Sequence, residues 1–215
     1  MSLLPPARVF LLSPAHCGGK RALMVFNERA QFDLAVRLRG PEGATIGEAF
    51  SFLSGLYFRG KLAYASAFAT PPAGVSGELA ITSNRGLLPV ETRITLDDLR
   101  AFGAIDISAG DERYRAPLER DARALAEVMP PGGEVVLLGS VASGKYVDAL
   151  LDVFGDRLHF PADFVGRGDM SRGGLMLRCV AEERELQYIP VRGAIRRGAR
   201  PPKLAPRTRG GNETL

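Results

Sequence analysis

The sequence predicts an α/β fold: three layers around a mixed, mostly parallel sheet, with a C-terminal β-hairpin. Three observations lead there. Short apolar runs that read as buried strands, such as Arg8–Leu12 and Glu134–Leu138, alternate with segments of helical periodicity up to about residue 160. The strand-to-helix passage at 134–151 has the glycine spacing of a phosphate-holding turn. Near the end, the runs 175–180 and 185–189 are joined by Ala181–Arg184, as the arms of a hairpin would be.

Along the chain, the first strand opens into the polar loop Ser13–Lys20, and further β segments are expected at 22–26 and 34–38. From Glu48 to Ala69, Phe50, Leu53, Tyr57, Leu62 and Ala65 recur at helical spacing, interrupted by Gly55 and Gly60. One bent helix or two short ones fit that pattern, with Arg59 and Lys61 near the break and Pro71-Pro72 beyond the end. A strand at 78–83 follows, then a loop through Pro89, and Thr95 with Asp98 marks the N-cap of a short helix ending near Phe102. Pro117 is expected in the first turn of a clearer helix, whose face carries Leu118, Ala122, Leu125 and Met129 before Pro130-Pro131 stops it. Residues 158–160 form a short strand, and 161–174, with four glycines, is expected to be a loop.

The 215 residues suffice for one domain, expected at 1–191, and the 46% hydrophobic and 24% charged composition is that of a folded globular chain. The net charge of +4 is unevenly spread: 192–215 holds seven basic residues and one acid, leaving −2 for residues 1–191. That segment is expected to be a flexible Pro/Arg-rich tail able to touch a polyanion. No apolar run approaches the roughly 20 residues of a membrane span, and no signal peptide is recognisable. Two cysteines and two histidines without metal spacing indicate neither a disulfide framework nor a zinc site. A cytoplasmic protein without metal or other cofactor is expected.

Gly139, Gly144 and Lys145 satisfy G-x-x-x-x-G-K, but Tyr146 stands where a Ser or Thr hydroxyl would hold magnesium. A phenol extends too far from the backbone for that position, so a standard Mg-dependent P-loop NTPase is not expected. Backbone N–H groups at a helix N-terminus still suit an anion. In an open α/β sheet ligands gather beyond the carboxyl ends of strands. On adjacent parallel strands, Ser13, His16, Asn84, Arg85, Gly139, Ser140 and Lys145 would line one such site. The loop at 161–174 supplies Asp163 and Asp169 as candidate catalytic carboxylates positioning a water, with Arg167 and Arg172 as candidate ligand or phosphate holders. An internally paired surface loop is the alternative for these four charges. His16 beside Cys17 suggests a base and nucleophile, against which adjacent loop residues seldom face one another.

Leu11-Leu12-Ser13-Pro14-Ala15, the segment Leu56-Tyr57-Phe58-Arg59-Gly60-Lys61-Leu62-Ala63-Tyr64-Ala65 and Ala80–Pro89 together resemble the peroxide-stress YaaA-type proteins and related small domains, some of which occur with base-modification enzymes. Here Arg85 stands where those families carry tyrosine before the glycine, and Asn84 replaces a small or basic residue. Val135–Ala142, an apolar strand ending in Gly-Ser-x-Ala, looks like a segment of the uracil-DNA glycosylase-like fold, without that family's catalytic loops. Both resemblances imply a nucleic-acid or nucleobase setting and supply no reaction; the leading expectation is a protein that binds a nucleotide, nucleobase or nucleic acid and acts by hydrolysis or transfer at a glycosidic bond. Two other readings stand beside it: a degenerate phosphate-binding protein without turnover, and a partner-binding module with a polyanion-binding tail.

Overall fold

A computed structural model describes residues 6–142, 144–202 and 204. Its core begins with β1 (Arg8–Leu12), in which every residue is buried, as a central parallel strand covered on both faces must be. Two short helices follow, α1 (Lys20–Phe26) and α2 (Asp33–Arg39). Both segments were expected as strands, because an apolar run this short has no decisive period. Arg37 reaching back four residues to Asp33 (2.9 Å) and Leu23 and Met24 on the exposed side are helical features.

After β2 (Ala44–Thr45), α3 (Ile46–Ser54) and α4 (Leu56–Phe68) meet at Gly55, whose φ of 60° breaks the helix where the glycine pattern predicts. The strands β3 (Glu78–Ile81), β4 (Leu87–Pro89) and β5 (Arg93–Ile94) lead into α5 (Leu96–Gly103). Its predicted cap is present: Asp98 N donates to Thr95 Oγ1 and Thr95 N to Asp98 Oδ2 at 2.8 Å. The next helix, α6 (Glu112–Val128), starts earlier than Pro117 indicates. Asp111 caps it, and the proline sits inside.

The chain ends through β6 (Glu134–Leu138), α7 (Gly144–Phe154), β7 (Leu158–Pro161), α8 (Asp169–Ala181) and β8 (Tyr188–Pro190). Strand order is β4-β3-β1-β6-β7-β8, parallel in the middle and antiparallel at both edges, while β2 and β5 pair separately. Helix α4 packs on α8, and α6 on α7, giving the three-layer α/β architecture.

The closing antiparallel pair is β7 with β8, not 175–180 with 185–189. Residues 175–180 lie in α8, whose buried positions Arg172, Leu175, Met176 and Cys179 repeat with a helical period. Of the four glycines that suggest a loop at 161–174, Gly173 serves helix contact. A Cβ on Gly173 would lie 2.7 Å from the Leu56 carbonyl oxygen, and one on Gly60 would lie 2.7 Å from that of Gly173. Backbones this close leave room for no side chain.

Candidate binding crevice at the carboxyl ends of the strands

From β1 the chain crosses to β3, and from β6 it crosses the other way to β7. The carboxyl ends of β1 and β6 are therefore the topological switch point, where connecting loops diverge and leave a crevice. Ser13 closes β1 and donates its N–H to the Leu138 carbonyl at 3.2 Å. Opposite it, a Cβ on Gly139 would come within 2.9 Å of the Ser13 Cβ, so this glycine permits close approach. Neither Gly139 nor Gly144 takes a left-handed φ.

Beyond that point the loop after β1, the end of α5 and the start of α7 enclose a cavity of about 340 Å³, lined by His16, Cys17, Ser83, Asp106, Lys145 and Tyr146 among others. The walls are held by hydrogen bonds rather than by charge pairs. Ser83 Oγ donates to the Phe102 carbonyl at 2.7 Å, and the Tyr114 hydroxyl donates to the Lys145 carbonyl at 3.0 Å. Lys145 and His16 are exposed at the mouth. Cys17 is buried, with its thiol directed at the Ala15 carbonyl and its pKa pushed up to about 12 by burial. A nucleophilic thiol needs the opposite shift, so His16 and Cys17 do not form an activated pair.

Under the crevice lies a polar cluster built on α4. Tyr57 and Lys61, one turn apart, share a helix face. Lys61 is fully buried, and its Nζ donates to the Ser13 carbonyl and, at 3.0 Å, to Ser13 Oγ. The rings of Tyr57 and Phe58 flank Nζ, with centroids at 4.4 and 4.7 Å. Burial lowers the Lys61 pKa to about 7, with Asp169 opposing the shift and Arg172 adding to it. The Tyr57 hydroxyl is buried without a hydrogen-bond partner among the described residues, and burial raises its pKa to about 12. Arg172 and Ser13 lie near enough to oppose that rise, though neither meets the hydroxyl in hydrogen-bond geometry. Tyr146 is raised to about 12 chiefly by burial, with contributions from Tyr57 and Asp169, which places its phenol between the cavity and this cluster.

Of the residues singled out in the sequence, His16 and Lys145 line the crevice, Ser13 and Gly139 meet at the strand ends beside it, with Ser140 next in the chain, and Arg172 and Asp169 belong to the neighbouring polar cluster. Arg172 is buried and donates twice to the Phe164 carbonyl, while Asp169 is exposed at the start of α8. The remainder are elsewhere. Arg85 pairs with Asp98 on α5 at 3.1 Å, and Asn84, which follows Ser83 of the cavity wall, has a buried Oδ1 without a partner among the described residues. Arg167 donates to Ser171 Oγ at 3.3 Å and lines a separate groove with Arg200 and Leu204. Asp163 sits in the electrostatic neighbourhood of Cys179 and Arg184, so the two candidate carboxylates do not work on one spot.

Two residues of the cluster escape sequence reasoning as site residues: Tyr57 and Lys61. The available signal was a lysine in line with Tyr57 and Tyr64, at positions i, i+4 and i+7, on a helix face that is otherwise apolar. The described part of the basic tail also approaches this end of the molecule. The Arg197 guanidinium donates to the Ala142 carbonyl at 3.1 and 3.0 Å, and a Cβ on Gly198 would come within 2.9 Å of Val165. Residues 205–215 lie outside the described residues.

No protein-family model matches the chain, and no match is found among curated proteins or solved structures. Among the described residues, no helix is long and apolar enough to cross a membrane, and no group of three His, Cys, Asp or Glu side chains is placed to hold a metal ion.

Proposed function

We propose that the crevice binds a nucleotide or nucleobase, free or as part of a nucleic acid, and that hydrolysis or transfer at a glycosidic bond is its chemistry. The observation that carries the reading is the cavity of about 340 Å³ at the switch point, with the Tyr146 phenol and the amino terminus of α7 on its wall. An aromatic ring offers a stacking face to any base, and the helix terminus with exposed Lys145 offers a positive field to an anionic ligand. The motif resemblances point the same way, as analogy only. Magnesium-dependent phosphoryl transfer is not part of the proposal, because Tyr146 occupies the hydroxyl position of the glycine-rich turn.

For the chemical step, Asp169 is the carboxylate whose field reaches Tyr57, Lys61 and Tyr146, and it is the residue assigned to orient water. Thermal-shift measurements with nucleotides, free bases and single- and double-stranded oligonucleotides test the binding step. Stabilisation by at least one class is expected, and no shift with any of them contradicts the reading. With a ligand in hand, Asp169→Asn should abolish turnover and leave the unfolding midpoint within a degree or so of the wild type. Retained turnover removes Asp169 from the mechanism.

A further inference from the structure

The cluster beneath the crevice holds more hydrogen-bond donors than acceptors. Arg172 commits Nε and Nη2 to the Phe164 carbonyl at 3.2 and 2.9 Å, and its Nη1 faces Asp169 Oδ1 at 3.6 Å, beyond hydrogen-bond length. Tyr57, only 7% exposed, has a hydroxyl with no hydrogen-bond partner among the described residues. Ser13 Oγ accepts from Lys61, and no acceptor for its own proton is found among the described residues. Three donors without a partner in hydrogen-bond geometry among the described residues thus lie together: a Cβ on Gly173, next to Arg172, would come within 2.9 Å of the Tyr57 Cα, and the Lys61 ammonium that bonds Ser13 Oγ lies 4.4 Å from the Tyr57 ring centroid. One further buried cation, Lys61, stands beside them, and Asp169, the carboxylate that faces Arg172 among the described residues, has two-thirds of its side chain in solvent. Unanswered buried donors are costly, and a donor set of this composition is matched by an oxyanion.

We propose that Arg172, Tyr57 and Ser13, with Lys61 behind them, form a subsite for a phosphate group of the ligand, entered from the crevice past Tyr146. The subsite is distinct from the α7 terminus, where exposed Lys145 attracts anions without enclosing them. Arg172 brings a charge-assisted donor, and the two hydroxyls supply neutral ones. Lys61 fixes Ser13 and offsets the incoming charge. The subsite deepens the nucleotide reading and rests on it for the route of entry, though its donors are defined without reference to a base.

Isothermal titration of the full chain with inorganic phosphate, a nucleoside monophosphate and the corresponding nucleoside tests the inference. The wild type should bind inorganic phosphate, and Tyr57→Phe should weaken that binding about tenfold, the effect of one lost hydrogen bond to a charged group. In phosphate-free buffer the same variant should unfold at or above the wild-type midpoint, because the hydroxyl it loses has no partner. Arg172→Met should abolish phosphate binding; should it fail to fold, Tyr57→Phe still decides. Absence of phosphate binding by the wild type, or unchanged affinity in Tyr57→Phe, overturns the subsite. Phosphate binding that needs Tyr57, combined with no binding of any nucleotide, base or oligonucleotide, supports the subsite and removes the nucleotide reading. Nucleoside binding that gains nothing from a phosphate and ignores Tyr57 does the reverse.

Discussion

Helix α4 carries two buried polar clusters on one stripe, and they differ in how completely they are satisfied. At the carboxyl end of β1, Tyr57 and Lys61 meet Ser13 and Arg172 with donors left over. Toward the amino end, Tyr64 meets a closed network. Its hydroxyl accepts from the Leu186 N–H at 2.7 Å and pairs with the Tyr188 hydroxyl at 2.6 Å, which donates on to Glu185 at 3.1 Å. Arg8 completes it with charge-assisted bonds to Glu134 and Glu185 and lies over the Tyr188 ring, 4.6 Å from the centroid. A closed network of this kind specifies the docking of α4 and β8 on β1. The open one adjoins Tyr146, which lines the crevice. Both clusters are built on buried tyrosines seven positions apart on one helix, so the contrast lies in their partners and not in their burial.

The largest expected effect belongs to the closed network. Arg8→Ala removes both ion pairs and leaves Glu134 partly buried, and a loss of about 3 kcal/mol in unfolding free energy is expected by denaturant titration. A loss below about 1 kcal/mol would mean that the network contributes little to stability.

Lys61→Met comes next and acts with the opposite sign. The Lys61 pKa is depressed to about 7 in the fold, so between there and its ordinary value of 10.5 the unfolded chain binds more protons. Stability from this group therefore rises with pH through that window, and the burden of burying the charge is fully present below about pH 7. Lys61→Met should stabilise the chain by about 2 kcal/mol at pH 6, after loss of two hydrogen bonds to Ser13, with the gain shrinking or reversing by pH 9.5. Thermal unfolding of both proteins across that range checks the sign, and a pH-independent difference would refute the depressed pKa.

The smallest effects compare like with like. Tyr64→Phe strands the Leu186 N–H and should cost about 1 kcal/mol, whereas Tyr57→Phe should cost nothing without ligand.

Much of this architecture was legible in the sequence because burial on both faces and turn chemistry are local signals. The runs that became β1, β3, β6 and β7, the helix break at Gly55 and the Thr95–Asp98 cap are all of that kind. Misread elements had periods too short to separate, as in α1 and α2, or glycines whose role is long-range. Gly173 suggests a loop until Gly60, 113 positions earlier, is seen against it. The crevice followed the same division. Ser13, Gly139 and Lys145 follow from the rule that strand ends gather ligands, whereas Tyr146 stands out in the sequence only as a hydroxyl out of place. Lys61 and Tyr57 were hidden because helical spacing places a residue on a face without telling whether that face meets apolar side chains or the end of a neighbouring strand.

The central claim is that the open cluster is held for an anion while the closed one holds the fold. Chemical denaturation of Tyr57→Phe and Tyr64→Phe beside the wild type, each with and without inorganic phosphate, tests it most directly. The account predicts that Tyr64→Phe loses about 1 kcal/mol in both buffers and keeps the stabilisation by phosphate, while Tyr57→Phe loses no stability alone but forfeits most of the phosphate effect. Equal losses in the two variants, with phosphate stabilising both alike or neither, would contradict it.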